Sequence, residues 1–251
     1  MYICAVANQK GGVGKTTTTH NLGMALSRGC RVLLIDLDAQ GNLTDACGLE
    51  TEDLKATAYE VLDGGVRLSD AICQLGPRID LLPAGRNLAV AELAFASRLG
   101  RENLLKKALA GKAYDVALID CPPSLGLLTV NALNAANGVL IPVQAEYYAL
   151  AGLDLIQETM QGVIENLNPA LALLGILLTF YDGRKSLNRD VASGLADRWG
   201  AQVFRTRIRD NVALAEAPSN GQSIFEYRAR SYGAADYEAL AKEFMKRIKN
   251  K

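Results

Sequence analysis

Two lysines, three glycines and two threonines crowd into eight residues near the start of the chain, Lys10-Gly11-Gly12-Val13-Gly14-Lys15-Thr16-Thr17. Glycines let consecutive backbone N–H groups turn inward and approach an oxyanion with no Cβ in the way. A helix opening at this point adds the partial positive charge of its first turn. Lys15 is then placed to reach terminal phosphates, and the Thr16 hydroxyl to ligate Mg²⁺. The string is a variant of GxxxxGK[ST] in which Lys10 fills one of the variable positions, and Gly11, Gly12, Val13, Gly14 and Thr17 complete the expected nucleotide contact. A glycine-rich turn without a ligand is the plain alternative. Two lysines and a threonine in such a turn speak against it.

Two acidic strand ends fit the same site. Asp120 closes Val-Ala-Leu-Ile-Asp (116–120) and is followed by Cys-Pro-Pro, a sharp exit at the strand tip. An Asp there holds Mg²⁺ through a water. Asp36 and Asp38 stand two apart at the end of a second apolar run, so on a strand they face the same way. Carboxylates paired beside a phosphate site repel each other, a cost kept at functional sites. Capping of the following turn is the structural alternative for both.

These residues need elements to hold them. Strands are expected at Ile3–Ala7, Arg31–Asp36, Ile79–Leu82, Val116–Asp120, Gly138–Val143 and Leu173–Phe180, with a short one around Gln202–Phe204. Helices are expected at Thr16–Ser27, Asn87–Arg98, Arg101–Ala110, Leu127–Asn134, Leu150–Asn166, Ser186–Trp199 and Gly233–Lys249. Near-continuous Val/Ile/Leu strands separated by helices mean strands covered on both faces, hence a parallel sheet. No linker, repeat or low-complexity tract divides the sequence. The expected fold class is α/β: a single doubly wound, mostly parallel sheet flanked by helices, spanning 1–251 as one domain, with its ligand at the carboxyl ends of the strands.

Composition narrows the function. The 251 residues carry 27 Lys+Arg against 27 Asp+Glu, which excludes a uniformly basic nucleic-acid coat protein. The five cysteines are scattered and none lies at metal-ligand spacing, so reduced thiols in a cytosolic protein are expected. The N-terminus has no basic region before its short apolar run, unlike a signal peptide. The apolar stretch Leu167–Tyr181 is broken by Asn168 and Pro169 and falls short of the ~18–20 residues of a membrane span. The expectation is a soluble, cytoplasmic protein.

Charge is nevertheless uneven. Residues 36–102 hold twelve acids and six bases, whereas 184–230 hold nine bases, eight of them arginine, and five acids. Arginine suits phosphate contacts. Backbone-phosphate binding without base reading is the function this cluster suggests, with Arg184, Arg205, Arg207 and Arg209 as candidates. Ordinary solvated arginine is the alternative for any one of them.

The segments KGGVGKTT, DLDAQGN (36–42), DCPPSLG (120–126), PVQAEYYAL (142–150) and NVALAEAPS (211–219) together make the chain resemble the ParA/Soj chromosome- and plasmid-partitioning ATPases, from residue 3 to about 245. The resemblance implies a P-loop NTPase fold using ATP and Mg²⁺. In that family the extra lysine, matched by Lys10, reaches across a dimer interface to the partner's nucleotide, so ATP favours a homodimer. Asp38 matches the position that orients the attacking water. The resemblance also implies slow, partner-stimulated hydrolysis, non-specific DNA binding by the ATP-bound dimer, nucleoid association and a ParB-like centromere-binding partner. Arg184 matches one arginine used on DNA, and Tyr147 and Tyr148 match positions on or near the dimer face, core packing being the alternative.

One segment departs from the pattern. The usual Ile-Pro-Arg-Asn-Val-Arg-Leu is here Ile208-Arg209-Asp210-Asn211-Val212-Ala213-Leu214. The second family arginine, a DNA-binding position, is Ala213, and Arg205, Arg207 or Arg209 would have to compensate. The same loop flanks the adenine, which makes Asp210 and Asn211 candidate ATP contacts. Ala39 replaces a usual proline.

Three rivals remain at this level. A MinD-like membrane-associated ATPase would use the basic tail, but Leu240, Phe244 and Ile248 read as a stripe docked on the core, so no membrane contact is expected. An iron protein would need a second cysteine near Cys121. A non-hydrolysing scaffold would not need Lys10, Lys15, Thr16, Asp38 and Asp120 together. His20 reads as a packed side chain rather than a ligand.

Overall fold

The structure, a computed structural model, describes residues 1–146 and 149–249, without the side chains of residues 149–151. Seven strands form one sheet: β1 (Tyr2–Val6), β2 (Val32–Asp36), β3 (Cys73–Gly76), β4 (Ile79–Leu82), β5 (Val116–Asp120), β6 (Gly138–Gln144) and β7 (Ala172–Thr179). Their order is β3-β4-β2-β5-β1-β6-β7. Every neighbouring pair is parallel except β3 and β4.

Alternate residues along the strands feed two cores. Ala5, Leu33, Ile35, Ala117 and Ile119 enter one, while Cys4, Val6, Leu34 and Leu118 enter the other. That two-sided burial is why the strands read as unbroken apolar runs. On the first face lie the helices Leu104–Leu109, Leu127–Ala135, Ala149–Asn166 and Ser186–Trp199. The second face is covered by Lys15–Leu26 and Tyr232–Lys249. Leu240 and Phe244 are fully buried there, so the tail's apolar stripe is already used by the core. No helix among the described residues is long and apolar enough to cross a membrane.

The register sets the site. Val6 and Asp36 both pair with Asp120, so the ends of β1, β2 and β5 lie side by side at mid-sheet. The winding of the sheet reverses there, since the chain runs from β1 toward β2 on one side and from β5 toward β6 on the other, the usual place for a ligand crevice in a doubly wound sheet.

Two expectations fail and one strand was not foreseen. The helix expected at Asn87–Arg98 is instead a 3₁₀ turn, Arg86–Val90, and a single α-turn, Ala91–Ala94. Contacts to the neighbouring helix Ala58–Asp63 and the turn before it override its helical composition: Arg86 on Glu52 (2.8 Å), Asn87 on Glu60 (3.2 Å), Arg98 on Asp63 (3.3 Å), and Phe95 stacked on Tyr59. The strand expected around Gln202–Phe204 is a 3₁₀ turn, Gly200–Gln202, followed by extended chain with only isolated bridges to β7 and Tyr181. Finally, β3 was not anticipated. It is a short, half-exposed edge strand, and its Gln-Leu-Gly sequence carries no β-branched residue to announce it.

Candidate nucleotide-binding site

The loop after β1 is anchored before it curls. Asn8 donates from Nδ2 to the Pro142 carbonyl on β6 (2.7 Å), and its Oδ1 accepts the Lys10 N–H (2.9 Å). Gly12 and Gly14 then adopt φ of +73° and +84°, a region L side chains rarely enter. Thr179, at the end of β7, donates its hydroxyl to the Val13 carbonyl (2.9 Å) and fixes the middle of the loop. Gly14 stands at the N-cap of Lys15–Leu26 with no side chain to occupy the first amides, which leaves them for an anion.

Lys15 is 7% exposed, and its Nζ donates to the Lys10 carbonyl at 3.1 Å. Burial lowers its pKa, while the nearby Asp120, Cys121 and Asp38 pull it back up. Asp120 is buried at the end of β5. Thr19 approaches its Oδ1 at 3.4 Å, but its Oδ2 has no hydrogen-bond partner. Burial pushes its pKa well above the carboxylate range, and the Asp36 charge adds to this, opposed by the Thr16 hydroxyl and Lys15. A buried, orphaned carboxylate oxygen beside Thr16 and Lys15 is the environment a divalent cation and a phosphate would complete. The donors present therefore fit Mg²⁺.

The two other acids part company. β2 ends at Asp36, so the period-two argument stops there and the pair does not share a face. Asp36 is fully buried and accepts from the Thr44 N–H (2.9 Å), the Thr44 hydroxyl (2.7 Å) and the Asp38 N–H (3.1 Å). Its place is that of a turn cap. Burial raises its pKa to about 7 against those three donors. Asp38 alone faces the ligand cleft.

That cleft, of about 550 Å³, is lined by Gly11, Gly12, Gly14, Lys15, Thr16 and Thr17 on one side, and by Asp38, Pro123 and the 218–219 turn on others. A second cavity of about 300 Å³ adjoins it at Gly14 and Thr17 and is walled by Ile208, Leu214 and Tyr237, with Asp210 and Asn211 at its edge. Asn211 spends its Oδ1 capping the helix Val212–Glu216 through the Ala213 N–H. Phe180 lines both cavities and is the one non-glycine residue with positive φ (49°) among the described residues.

Lys10 does not line the cleft. Its Nζ sits 2.6 Å from Glu146 Oε2, and both side chains are nearly half exposed. Tyr147 and Tyr148 lie outside the described residues.

The arginines gather along one extended run beside β7. Phe204 and Ile208 point inward and bond to β7 through the Ile176 and Leu178 carbonyls, while Arg205, Arg207 and Arg209 alternate outward. Arg207 stacks over Tyr181 at 4.4 Å, next to the turn carrying Arg184. Arg184 is 90% exposed and gripped in two-pronged fashion by Asp182. Arg209 is held likewise by Asp236, which takes its guanidinium bidentately (2.6–3.1 Å), but Tyr232 lies under it and its side chain is only 44% exposed. Ala213 is 1% exposed, so a long cation at that position would have to displace core residues.

Sequence reasoning missed several contributors. Thr44, Thr179 and Glu146 act across 8, 166 and 136 residues of separation, which no local motif shows. Pro218 and Ser219 fall within a quoted motif yet only the fold turns them toward the cleft.

Residues 1–173 match the AAA domain family. Over 245 residues the chain is 46% identical to the sporulation initiation inhibitor protein Soj of Bacillus subtilis, covering 96% of this chain and 97% of that one. Over a further 245-residue alignment it is 47% identical to the chromosome-partitioning ATPase Soj of Thermus thermophilus (97% and 95%). The chromosome partitioning protein ParA of Caulobacter vibrioides is 41% identical over 255 residues (99% and 96%). Among solved structures, a Mycobacterium smegmatis protein described as cobyrinic acid a,c-diamide synthase, with bound ATP analogue and magnesium, matches with a TM-score of 0.88 at 41% identity (99% and 96%). A Cyanothece McdA–ATP complex matches at 0.85 and 25% identity (99% and 95%).

Proposed function

Because the chain belongs to the Soj/ParA partitioning ATPases of the AAA-domain class, we propose that it works as an ATP-timed clasp, in which ATP joins two copies and hydrolysis parts them. The observation that carries the dimer is the aim of Lys10: it turns away from its own cleft and rests on Glu146 at the surface. A lysine held there is available to a second chain's phosphate. A charge pair at 4 Å is worth about 4 kcal/mol at an effective dielectric near 20, a contribution that a γ-phosphate supplies and ADP largely lacks. ATP therefore favours the joined state by differential contact.

Within one copy the roles follow from placement. The amides of Gly11–Thr17 and the Lys15 ammonium bind the β- and γ-phosphates, and Lys15's low exposure keeps competing water away. Thr16 and Asp120 would hold Mg²⁺, which would supply positive charge against the phosphates. Asp38, with its Oδ1 held by the Gln40 N–H (3.0 Å), orients the attacking water. The apolar cavity takes the adenine, with Asp210 and Asn211 reading its polar edge and Phe180 standing between base and phosphates.

Arg184, Arg205, Arg207 and Arg209 form the DNA face, contacting backbone phosphate without base readout, Arg184 once Asp182 lets go and Arg209 once Asp236 does. A ParB-like protein stimulates turnover, and the protein spends its ATP-bound time on the nucleoid. The whole chain acts as one domain in this cycle.

Binding of DNA by wild type and Arg184→Ala, without nucleotide, with ADP and with ATP, tests this reading. Wild type should bind only with ATP, ignore sequence, and weaken with a log–log salt slope of about −0.9 per phosphate neutralised. Binding that is equal in all three states, or strongly sequence-selective, contradicts it.

A further inference from the structure

Glu92 takes part in none of the chemistry above, yet it reaches the loop that leaves Asp120. It stands exposed in the turn Ala91–Ala94, and its Oε1 accepts the backbone N–H of Leu127 at 3.0 Å. Leu127 opens the helix Leu127–Ala135, whose N-cap is Gly126. Glycine has no side chain with which to satisfy a first-turn amide, so a carboxylate 35 residues upstream does the capping, favoured also by the helix's positive end.

Gly126 accommodates the same contact. Its backbone, at φ −81° and ψ −164°, is extended and open to any residue. A Cβ on Gly126 would overlap Glu92 Oε1 and lie 2.8 Å from its Cδ, so a side chain there would displace the carboxylate. The glycine makes room for the carboxylate.

The loop of residues 121–126 is thus fixed at three points. Cys121 N–H bonds the Val6 carbonyl on β1 (3.2 Å), Thr129 bonds the Ser124 carbonyl (2.6 Å), and Glu92 holds the outer end. Pro123, between the first two, lines the phosphate cleft. Of the other two ties, one runs to the loop's own helix and one to β1, the neighbour of the strand it leaves. Only Glu92 brings in the segment after β4, which is itself pinned to Glu52, Tyr59, Glu60 and Asp63.

We propose that Glu92 is a positioning residue for ATP hydrolysis: by clamping the start of Leu127–Ala135 it holds the Asp120–Gly126 loop, and Pro123 with it, against the cleft. The inference rests on the ATPase reading. It does not require that Glu92 touch nucleotide, and the phosphate loop and Lys15 are untouched by its loss.

Steady-state ATPase kinetics and amide hydrogen exchange at Leu127, on wild type, Glu92→Ala, Glu92→Gln, Gly126→Ala and the Glu92→Ala/Gly126→Ala double variant, test it. Glu92→Ala should lower kcat about three- to tenfold, as for loss of one charge-assisted hydrogen bond at a partly exposed site, with KM for ATP changed by less than about twofold. Glu92→Gln keeps an acceptor oxygen and should recover at least about half the wild-type rate. Gly126→Ala should match Glu92→Ala, since its methyl group evicts the carboxylate, and the double variant should be no slower than either single one. Leu127 exchange should quicken in every variant except Glu92→Gln. Wild-type kcat in Glu92→Ala, multiplicative losses in the double variant, or a raised KM at constant kcat would each overturn the proposal. Unchanged Leu127 exchange in Glu92→Ala would overturn it whatever the kinetics. A wild type that turns over no ATP would instead defeat the ATPase reading, with the exchange data still judging the clamp.

Discussion

His20 is the chain's one histidine, 3% exposed on the helix that follows the phosphate loop. Burial pushes its pKa down to about 4, against a smaller upward pull from Glu226. In the folded protein the imidazole is therefore neutral, whereas in the unfolded chain it titrates near its ordinary value of about 6.5. Between those values the unfolded state binds more protons, so this contribution to stability is present above pH ~6.5 and is lost as pH falls toward ~4. A shift of about 2.5 units at 1.36 kcal/mol each gives about 3 kcal/mol in full, of which about 2 kcal/mol has gone by pH 5. His20→Gln keeps a polar side chain of similar size that does not titrate. Urea unfolding of both proteins at pH 7.5 and pH 5.0 reads the effect. The stability gap between them should shift by about 2 kcal/mol in favour of the variant at the lower pH. Asp36, raised to about 7, and Asp120 act with the opposite sign, but they are common to both proteins and cancel in the difference. A gap that does not move between the two pH values refutes a buried, neutral His20.

Other predictions concern the cleft and the arginine face. Lys15→Ala should weaken ATP binding by at least about tenfold, since it removes the ammonium aimed at the phosphates, and titration calorimetry showing wild-type affinity would contradict its placement. Asp38→Ala should bind ATP normally but hydrolyse it about 100-fold or more slowly, and phosphate release at the wild-type rate would take Asp38 out of the mechanism. Asp236→Ala should free Arg209 at a stability cost of about 1 kcal/mol, because the pair is partly exposed, and should steepen the salt slope of DNA binding by about 0.9. An unaltered slope would mean that Arg209 never meets DNA.

Much of this was legible in the sequence, for physical reasons that also mark where legibility stops. The phosphate loop could be read because its chemistry is local: glycine, lysine and threonine must be consecutive to present amides, charge and hydroxyl at one point. Asp120 could be read because a buried strand ending in an acid and two prolines is locally odd. Asp36 was misread because the periodicity argument outran the strand, and Thr44, which turns the carboxylate into a cap, lies on the next helix. The segment 86–98 was misread because tertiary contacts outweighed its helical composition. Glu92 was invisible for a related reason. Its partner is a backbone amide, and no residue type reports that such a group is waiting. Arg209 could be placed in a basic run by sequence, but only the fold revealed that Asp236 had claimed it.

The mass of the particle in solution tests the central claim most directly. Light scattering on the purified chain with Mg²⁺ and a non-hydrolysable ATP analogue should give twice the chain mass of 26.9 kDa, and with ADP or no nucleotide should give the single mass. The same mass in all three conditions would contradict a clasp closed by the γ-phosphate.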